Sequence, residues 1–165
     1  MSSISLSDLK FIKPTILAEI LKAPETASKI AIIDVRDDDH VGGHIKGSQW
    51  VPIHQLDARL PELLRVNAAK DKVVFHCMLS QQRGPKAALM YARAKQREVD
   101  RVRREHAEKE QVDAANDGEW EDVDQKDGKI GGQEVCVLEG GFGAWQAFHG
   151  DDETLTENYA KDLWT

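Results

Sequence analysis

The sequence predicts an α/β fold in which a mostly parallel central sheet is flanked by helices on both faces. Three runs of β-branched and apolar residues, at 29–37, 71–77 and 133–141, are typical of strands that are buried on both sides. Stretches with helical spacing precede, separate and follow these runs. This alternation favours a parallel sheet, because parallel neighbours need a crossover connection and a helix usually supplies it.

The helices are indicated by apolar spacing and by residues that suit helix starts. Pro14 precedes an amphipathic stretch, and Pro85 suits the first turn of the helix after the second strand. A short strand is expected at 49–56, and the tail at 151–165 is expected to form a closing helix. Besides this closing helix, four helices are expected, at 15–23, 56–66, 84–96 and 142–148.

Composition indicates one globular domain over residues 1–165. The chain is 41% hydrophobic and 31% charged, and its length allows a core that needs no disulfide or metal. A net charge of -7 argues against nucleic acid as a partner, because binding phosphate backbones usually needs a basic face. No apolar run is long enough for a membrane span, and the first residues do not resemble a signal peptide. We therefore expect an intracellular protein, in the cytoplasm or also in the nucleus, with no membrane partner and with its two cysteines as free thiols.

A charged extension and an acidic loop are predicted at about 93–130. From Arg93 to Glu110 the chain has seven basic and five acidic residues, which predicts a helix that continues into solvent. From Gln111 to Ile130 it has seven acidic and two basic residues without usable periodicity, which predicts a flexible loop. A surface insertion is the simpler interpretation. The alternative is protein docking through 93–130, with Trp120 as a contact.

The loop that follows the second strand carries the strongest chemical signal. Cys77 and Arg83 form a C-x5-R pattern between a strand and a helix. Such a loop directs backbone N–H groups inward and forms an anion-binding nest at the positive end of the helix dipole. Arg83 adds a planar fork that matches two oxygens of a tetrahedral oxyanion. The same positive potential favours the thiolate of Cys77, so the pattern predicts nucleophilic attack on phosphorus or a similar centre.

Residues beside this loop are expected to support it. Gly84 permits close approach of the backbone, and His76 points the other way along its strand, where hydrogen bonding is a better assignment than general base. The three aspartates Asp37, Asp38 and Asp39 follow the first strand and are candidate general acids. No metal site is predicted, because glycines 42 and 43 interrupt any helix that could pair the nearby histidines 40 and 44.

Three separated motifs resemble the rhodanese fold over roughly residues 6–148, outside the insertion. They are "IIDVRDDDHVGGHIKGSQWVPI", "FHC" with its loop, and "VCVLEGGFGAW". The seven-residue loop that ends Arg-Gly-Pro resembles that of the rhodanese-fold dual-specificity phosphatases that activate cyclin-dependent kinases. It also resembles that of their small single-domain relatives among eukaryotic arsenate reductases.

The resemblance implies a role for each loop residue. Cys77 would be the nucleophile and Arg83 the anion-binding residue, while Asp34 and Arg36 would brace the strand and its loop. The oxyanion-binding loop would comprise Met78, Leu79, Ser80, Gln81, Gln82 and Arg83. The loop also departs from the cell-cycle phosphatases, because it contains no carboxylate. Cys136 is a candidate partner for an oxidised Cys77, but a buried strand cysteine is the better interpretation.

Three functions fit these residues. The first is a phosphatase that acts on phosphotyrosine or similar phosphoesters through a phosphocysteine, with a phosphorylated protein as substrate and without a cofactor. The second is an arsenate reductase that takes a small oxyanion and uses glutathione and glutaredoxin as electron donor. The third is a phosphoprotein-binding or sulfurtransferase-like module with little phosphatase activity.

Overall fold

A computed structural model describes residues 4–109 and 129–164 of the chain. The strands are β1 (Lys10–Ile12), β2 (Ile30–Asp34), β3 (His44–Ile45), β4 (Gln49–Trp50), β5 (Lys72–His76), β6 (Lys129–Ile130), β7 (Gln133–Leu138) and β8 (Thr156–Glu157). The helices are α1 (Pro14–Lys22), α2 (Pro24–Ala27), α3 (Ile53–Val66), α4 (Arg83–Lys109) and α5 (Gly141–His149). Two short 3-10 helices lie at Leu6–Asp8 and Lys161–Trp164.

The central sheet confirms the predicted parallel topology. Its strands follow the order β1-β7-β5-β2-β4, and every neighbouring pair along this path is parallel. The three strands predicted as buried, β2, β5 and β7, lie side by side at the centre. A short antiparallel strand, β6, pairs with β7, and β3 and β8 form a separate two-stranded sheet.

Helices cover both faces of the sheet, and two apolar cores result. Successive side chains of a strand point to opposite faces, so Ile33 and Ile32 of β2 enter different cores. The core with Ile33 is closed by α3 and α4, and the core with Ile32 is closed by α1 and α5. Trp145 of α5 is fully buried in the second core, where its indole Nε1 donates to Thr156 Oγ1 at 2.9 Å.

The register of the central strands brings two loops together at the carboxyl edge of the sheet. Asp34, the last residue of β2, lies opposite His76, the last residue of β5. The backbone then continues in step, because the Val35 N–H donates to the His76 carbonyl at 2.9 Å. The loop at 35–43 and the loop at 77–82 therefore leave the sheet next to each other, where open α/β sheets bind ligands.

Several predicted elements differ from the observed ones. The expected closing helix at 151–165 is wrong: this tail forms β8 against β3, followed by the short 3-10 helix, because its side chains pack on the loop after β2. Trp164, for example, donates from its indole to the Gly42 carbonyl at 3.0 Å. The predicted strand at 49–56 ends at Trp50, since α3 begins at Ile53.

The charged extension begins later than its composition indicates. α4 continues to Lys109 as predicted, but Ala94 and Lys95 are still buried within the fold. The insertion also ends before Ile130, because Lys129 and Ile130 form β6. Residues 110–128, which include Trp120 and most of the predicted acidic loop, lie outside the described residues. Within the described parts of the chain, no helix has both the length and the apolar character that crossing a membrane requires.

Candidate active site

Cys77 leaves the carboxyl end of β5 and lies at the base of the predicted loop. Its side chain is almost completely buried, with 3% of the residue exposed. The backbone N–H of Ser80 donates to Cys77 Sγ at 3.1 Å. Ser80 adopts a positive φ of 53°, which turns the loop back over the sulfur. The loop therefore curls around Cys77 and supplies a backbone donor to its sulfur.

The loop ends at the start of α4, and Arg83 is the first residue of that helix. The Lys86 N–H donates to the Gln82 carbonyl at 3.0 Å, so the first helical turn closes directly after the loop. Gly84 fits tightly here, because a Cβ at this position would lie 3.1 Å from Ser80 Oγ. The positive end of the α4 dipole is thus adjacent to the loop at 77–82. We call the space between this loop and Arg83 the pocket, and the dipole favours an anion there.

A second helix also contacts the loop, which sequence reasoning did not predict. The N–H of Phe142 donates to the Cys77 carbonyl at 2.9 Å, and the N–H of Gly143 donates to the Met78 carbonyl at 2.8 Å. Both donors lie in the first turn of α5. Gly141 precedes them with a φ of 61°, and a Cβ there would lie 2.6 Å from Met78 O. The glycine motif after β7 therefore fixes the backbone on which Cys77 sits.

Arg83 is bound by carboxylates from the loop after β2. Its Nη1 donates to Asp39 Oδ1 at 2.8 Å and its Nη2 donates to Asp39 Oδ2 at 2.5 Å. Asp37 Oδ2 lies 3.9 Å from the same Nη1, and Asp37 Oδ1 lies 2.9 Å from His54 Nδ1. The hydrogen bonds from Arg83 hold the pKa of Asp39 below its ordinary value, and they raise the pKa of Arg83 further. Asp39 is therefore ionised at neutral pH and is a poor proton donor in this arrangement.

The remaining aspartate of the predicted trio has a different environment. Asp38 is exposed, whereas its neighbours on either side face the arginine. The structure thus brings Asp37 and Asp39 to Arg83, and it leaves Asp38 on the surface. His54, for which the sequence carries no motif, pairs with Asp37 across 17 residues of chain.

Beneath the two loops lies a buried ion pair. Asp34 and Arg36 are both fully buried, and Arg36 Nη2 donates to Asp34 Oδ2 at 2.7 Å while its Nε contacts both carboxylate oxygens at 3.0 Å. The same Nη2 donates to the Gly43 carbonyl at 2.9 Å. The position of Arg36 agrees with the bracing role that the resemblance implies, since it joins the strand end to the far end of the loop.

Arg36 determines the charge state of the buried network that it forms with Asp34 and His76. Burial raises the pKa of Asp34, whereas the hydrogen bonds and the positive charge of Arg36 lower it, and the pKa lies below its ordinary value. Burial also lowers the pKa of His76, more strongly than Asp34 raises it, so the imidazole is neutral at neutral pH. With His76 neutral, the guanidinium is the permanent positive charge that keeps the carboxylate ionised.

His76 lies under the loop rather than in the pocket. Its side chain is fully buried, and its Nδ1 is 3.1 Å from the Cys77 carbonyl. Its Nε2 has no hydrogen-bond partner, although Asp34 Oδ2 lies 3.9 Å away. This position agrees with a supporting role and gives His76 no access to a bound substrate.

His40 and His44, which the sequence places near each other, pack on aromatic rings. His40 stacks on Trp50 with ring centroids 4.3 Å apart and on His44 at 5.9 Å. Burial lowers the pKa of His40, despite the carboxylate of Asp34 at 3.4 Å. Among the described residues, no group of three or more histidine, cysteine and carboxylate side chains is arranged to hold a metal ion.

The side chains of loop residues 78–82 differ in their exposure to solvent. Met78 is half-buried and Ser80 is buried, whereas Leu79, Gln81 and Gln82 are exposed. Leu79 is 53% exposed. The loop therefore presents an apolar side chain and two amides to solvent, where they can contact a substrate without adding charge.

Cys136 lies in the sheet, away from Cys77. It is buried in β7 opposite Val74, three residues before Cys77 in the neighbouring strand. Three residues of strand span roughly 10 Å, which exceeds the Cα separation that a disulfide allows. Burial raises the pKa of Cys136 to about 12. Cys136 is therefore a core residue with little thiolate character.

Comparison with known proteins identifies the family. The family model for the rhodanese-like domain matches residues 14–148. The chain is 33% identical to the CDC25-like phosphatase YCH1 of Saccharomyces cerevisiae, over 99% of both chains. It is 30% identical to Arsenate reductase 2.2 of Oryza sativa subsp. japonica, over 84% of this chain and 82% of the reductase.

A solved structure supports the same assignment. The crystal structure of Saccharomyces cerevisiae Ygr203w, a homolog of single-domain rhodanese and the Cdc25 phosphatase catalytic domain, aligns with a TM-score of 0.69 and 29% identity. The alignment covers 100% of this chain and 97% of Ygr203w. Since the family model matches most of the sequence and the fold agrees along its whole length, the chain belongs to the rhodanese-like family, and its relatives named above are a Cdc25-like phosphatase and an arsenate reductase.

Proposed function

We propose that this protein is a cysteine-dependent phosphatase that hydrolyses phosphotyrosine or similar phosphoesters. The observation that carries the proposal is the loop at the end of β5. Cys77 Sγ accepts a backbone N–H from Ser80 at 3.1 Å, and Arg83 stands at the start of α4. A cysteine sulfur, a curled loop and a guanidinium at a helix N-terminus together suit nucleophilic attack on a tetrahedral oxyanion.

The reaction proceeds through a phosphocysteine intermediate. The Cys77 thiolate attacks phosphorus, so that an S–P bond forms while the P–O bond to the leaving group breaks. Arg83 and the backbone N–H groups of loop 78–82 hold the remaining phosphoryl oxygens during this transfer. Water then attacks phosphorus, the S–P bond breaks, and inorganic phosphate leaves with Cys77 restored. No cofactor is required.

The proton for the leaving oxygen comes from the substrate. The loop contains no carboxylate, and Arg83 holds Asp39 in its ionised form. A phosphoester monoanion carries its own proton, which it can deliver to the departing oxygen. We therefore expect turnover to depend steeply on the leaving group, because esters of acidic phenols need little protonation.

The proposal is tested with a chromogenic aryl phosphate and two cysteine variants. Replacing Cys77 by serine should lower kcat/KM by at least about 10³-fold, since the nucleophile is lost. Cys136→Ala is the matched control, because it removes the other cysteine from β7, and it should keep most of the activity. Phosphatase turnover that survives in Cys77→Ser would contradict the assigned nucleophile.

Arsenate reduction is the second candidate, and the absence of a loop carboxylate favours it together with the relatives named as arsenate reductases. Arsenate would first bind covalently to Cys77 with loss of water. A thiolate of glutathione then attacks the sulfur, which forms a Cys77–glutathione disulfide and releases arsenite. The two electrons that reduce As(V) to As(III) come from these two thiols, and glutaredoxin with further glutathione reduces the disulfide. An external thiol is needed, because Cys136 lies too far away.

A coupled assay separates these functions. Arsenate is supplied with glutathione, glutaredoxin, glutathione reductase and NADPH, and NADPH consumption is followed in wild type and in the two cysteine variants. Consumption that needs Cys77 but exceeds any phosphatase turnover would assign the reductase. If neither activity occurs while phosphopeptides still bind, the protein is a binding or sulfurtransferase-like module.

A further inference from the structure

We propose that Asp39 is an internal competitor for the oxyanion: it occupies the fork of Arg83 in the substrate-free protein and must leave when the anion binds. This inference concerns the same pocket and rests on the proposed function, since it assumes that Arg83 receives the oxyanion. It assigns Asp39 a role in setting anion affinity, in place of the general-acid role that the sequence indicated.

The geometry of the ion pair supports this role. Both terminal nitrogens of Arg83 donate to Asp39, one to each carboxylate oxygen, at 2.8 and 2.5 Å. A phosphate or arsenate group presents the same pattern of two oxygens to a guanidinium, and a bidentate carboxylate therefore imitates it. The end of the guanidinium that Asp39 occupies cannot hold both anions at once.

The loop that carries Asp39 can release its side chain while the backbone stays in place. Buried Arg36 donates from Nη1 to the Asp39 carbonyl at 3.5 Å and to the Val41 carbonyl at 3.4 Å, and from Nη2 to the Gly43 carbonyl at 2.9 Å. These bonds fix the backbone at Asp39 and on its C-terminal side. The carboxylate itself is about one-third exposed, so a rotation of the side chain is enough to move it into solvent.

The local charges favour such an exchange. Arg83 carries one positive charge, but Asp39 and Asp37 both approach it. Asp37 has a second partner in His54 at 2.9 Å, whereas Asp39 depends on Arg83 and on the Asp37 N–H, which donates to its Oδ1 at 3.0 Å. An incoming oxyanion adds negative charge to a pocket with an excess of carboxylate. Departure of Asp39 relieves that repulsion and frees two donors.

The opposing possibility is that Asp39 holds Arg83 in position while the oxyanion binds elsewhere on it. Calorimetric titration with inorganic phosphate separates the two roles in wild type, Asp39→Asn and Asp38→Asn. The exposed Asp38 is the matched control, because its replacement removes one charge from the same loop and leaves the fork intact. We expect Asp39→Asn to bind phosphate about threefold to fivefold more tightly than Asp38→Asn, the factor that a partly exposed ion pair supports. Equal or weaker binding by Asp39→Asn would overturn the proposal.

A second measurement uses wild type alone and does not depend on the folding of a variant. In a crystal structure of the protein with inorganic phosphate on Arg83, both hydrogen bonds from Arg83 to Asp39 should be gone. If both bonds persist beside bound phosphate, Asp39 is not a competitor.

The outcomes also separate this inference from the proposed function. Phosphate binding needs no turnover, so tighter binding by Asp39→Asn without any phosphatase or reductase activity would reject the function and keep the inference. Normal turnover in wild type with no gain in phosphate affinity from Asp39→Asn would keep the proposed function and reject the inference. In an active enzyme, Asp39→Asn should lower KM for the phosphate ester, whereas Asp38→Asn should leave KM close to that of wild type.

Discussion

Replacing Gly141 by alanine should impair the site from outside the loop. Gly141 begins α5 and has a φ of 61°. A Cβ at this position would lie 2.6 Å from Met78 O, 2.7 Å from Cys77 O and 2.7 Å from the Met78 carbonyl carbon. All three atoms belong to backbone, so no flexible side chain can turn aside to make room.

Two effects contribute to the expected loss. The left-handed conformation costs an alanine about 1–2 kcal/mol, which lowers the free energy of unfolding. In addition, the Met78 carbonyl must move by about 0.4 Å merely to reach 3.0 Å, below which real Cβ contacts essentially do not occur. That movement also disturbs the hydrogen bonds that Phe142 and Gly143 donate to this segment. Since Cys77 lies on it, we expect kcat/KM to fall, by up to the roughly 10²-fold that displacing a reacting group by about 1 Å can cause.

Gly47→Ala is the matched control for this experiment. Gly47 has a φ of 81°, so an alanine there meets a similar backbone penalty, but a Cβ would have no heavy atom within 4 Å. Thermal unfolding and kcat/KM for an aryl phosphate are measured for both variants. We expect both to lose stability and Gly141→Ala alone to lose activity. Similar kcat/KM values in the two variants would refute the argument that α5 fixes the backbone of Cys77.

Three further predictions concern the buried Arg36–Asp34 ion pair, the partly exposed Arg83–Asp39 ion pair and the thiol of Cys136. Arg36→Leu leaves Asp34 as a buried unpaired charge and should lower the free energy of unfolding in urea by about 3–5 kcal/mol; a loss under about 1 kcal/mol would contradict that pairing. The lowered pKa of Asp39 means that its ion pair stabilises the fold fully above the ordinary value of 3.8 and loses that effect as the pH falls through the lowered pKa. The stability difference between wild type and Asp39→Asn should therefore shrink from about pH 5 to pH 3, and a constant difference would count against the pair. Because burial raises the pKa of Cys136 to about 12, iodoacetamide should modify Cys77 well before Cys136 in the folded protein, as peptide mass spectrometry can measure.

The parts of the site that sequence reasoning anticipated are local in the chain. Cys77 and Arg83 are six residues apart, and the strand before them and the helix after them have clear apolar patterns. The loop runs from a strand end into a helix start, and this context indicated a curl with backbone N–H groups directed at an anion. The two-sided apolar character of β2, β5 and β7 likewise indicated the centre of the sheet.

The parts that were missed depend on contacts between distant segments. Asp39 and Arg83 are separated by 44 residues, and nothing in the triplet at 37–39 indicates which aspartate faces the arginine. The tail is predicted as a helix, yet it forms β8, which is only two residues long and pairs with an equally short β3. Such short strands form because tertiary packing holds them, and their sequences carry little propensity. The glycine pair at 140–141 was a usable signal, since glycines after a strand often mark a close backbone approach.

The order of the strands determines which segments of the chain contact the loop that carries Cys77. β5 lies between β7 and β2, so the loop with Cys77 contacts the loop of each neighbour. On one side, α5 after β7 donates backbone hydrogen bonds to the carbonyls of Cys77 and Met78. On the other side, the loop after β2 supplies Asp39 to the guanidinium of Arg83. Loop geometry and the charge at the arginine therefore depend on different neighbours. Replacing Gly141 should accordingly change mainly kcat, whereas replacing Asp39 should change mainly KM.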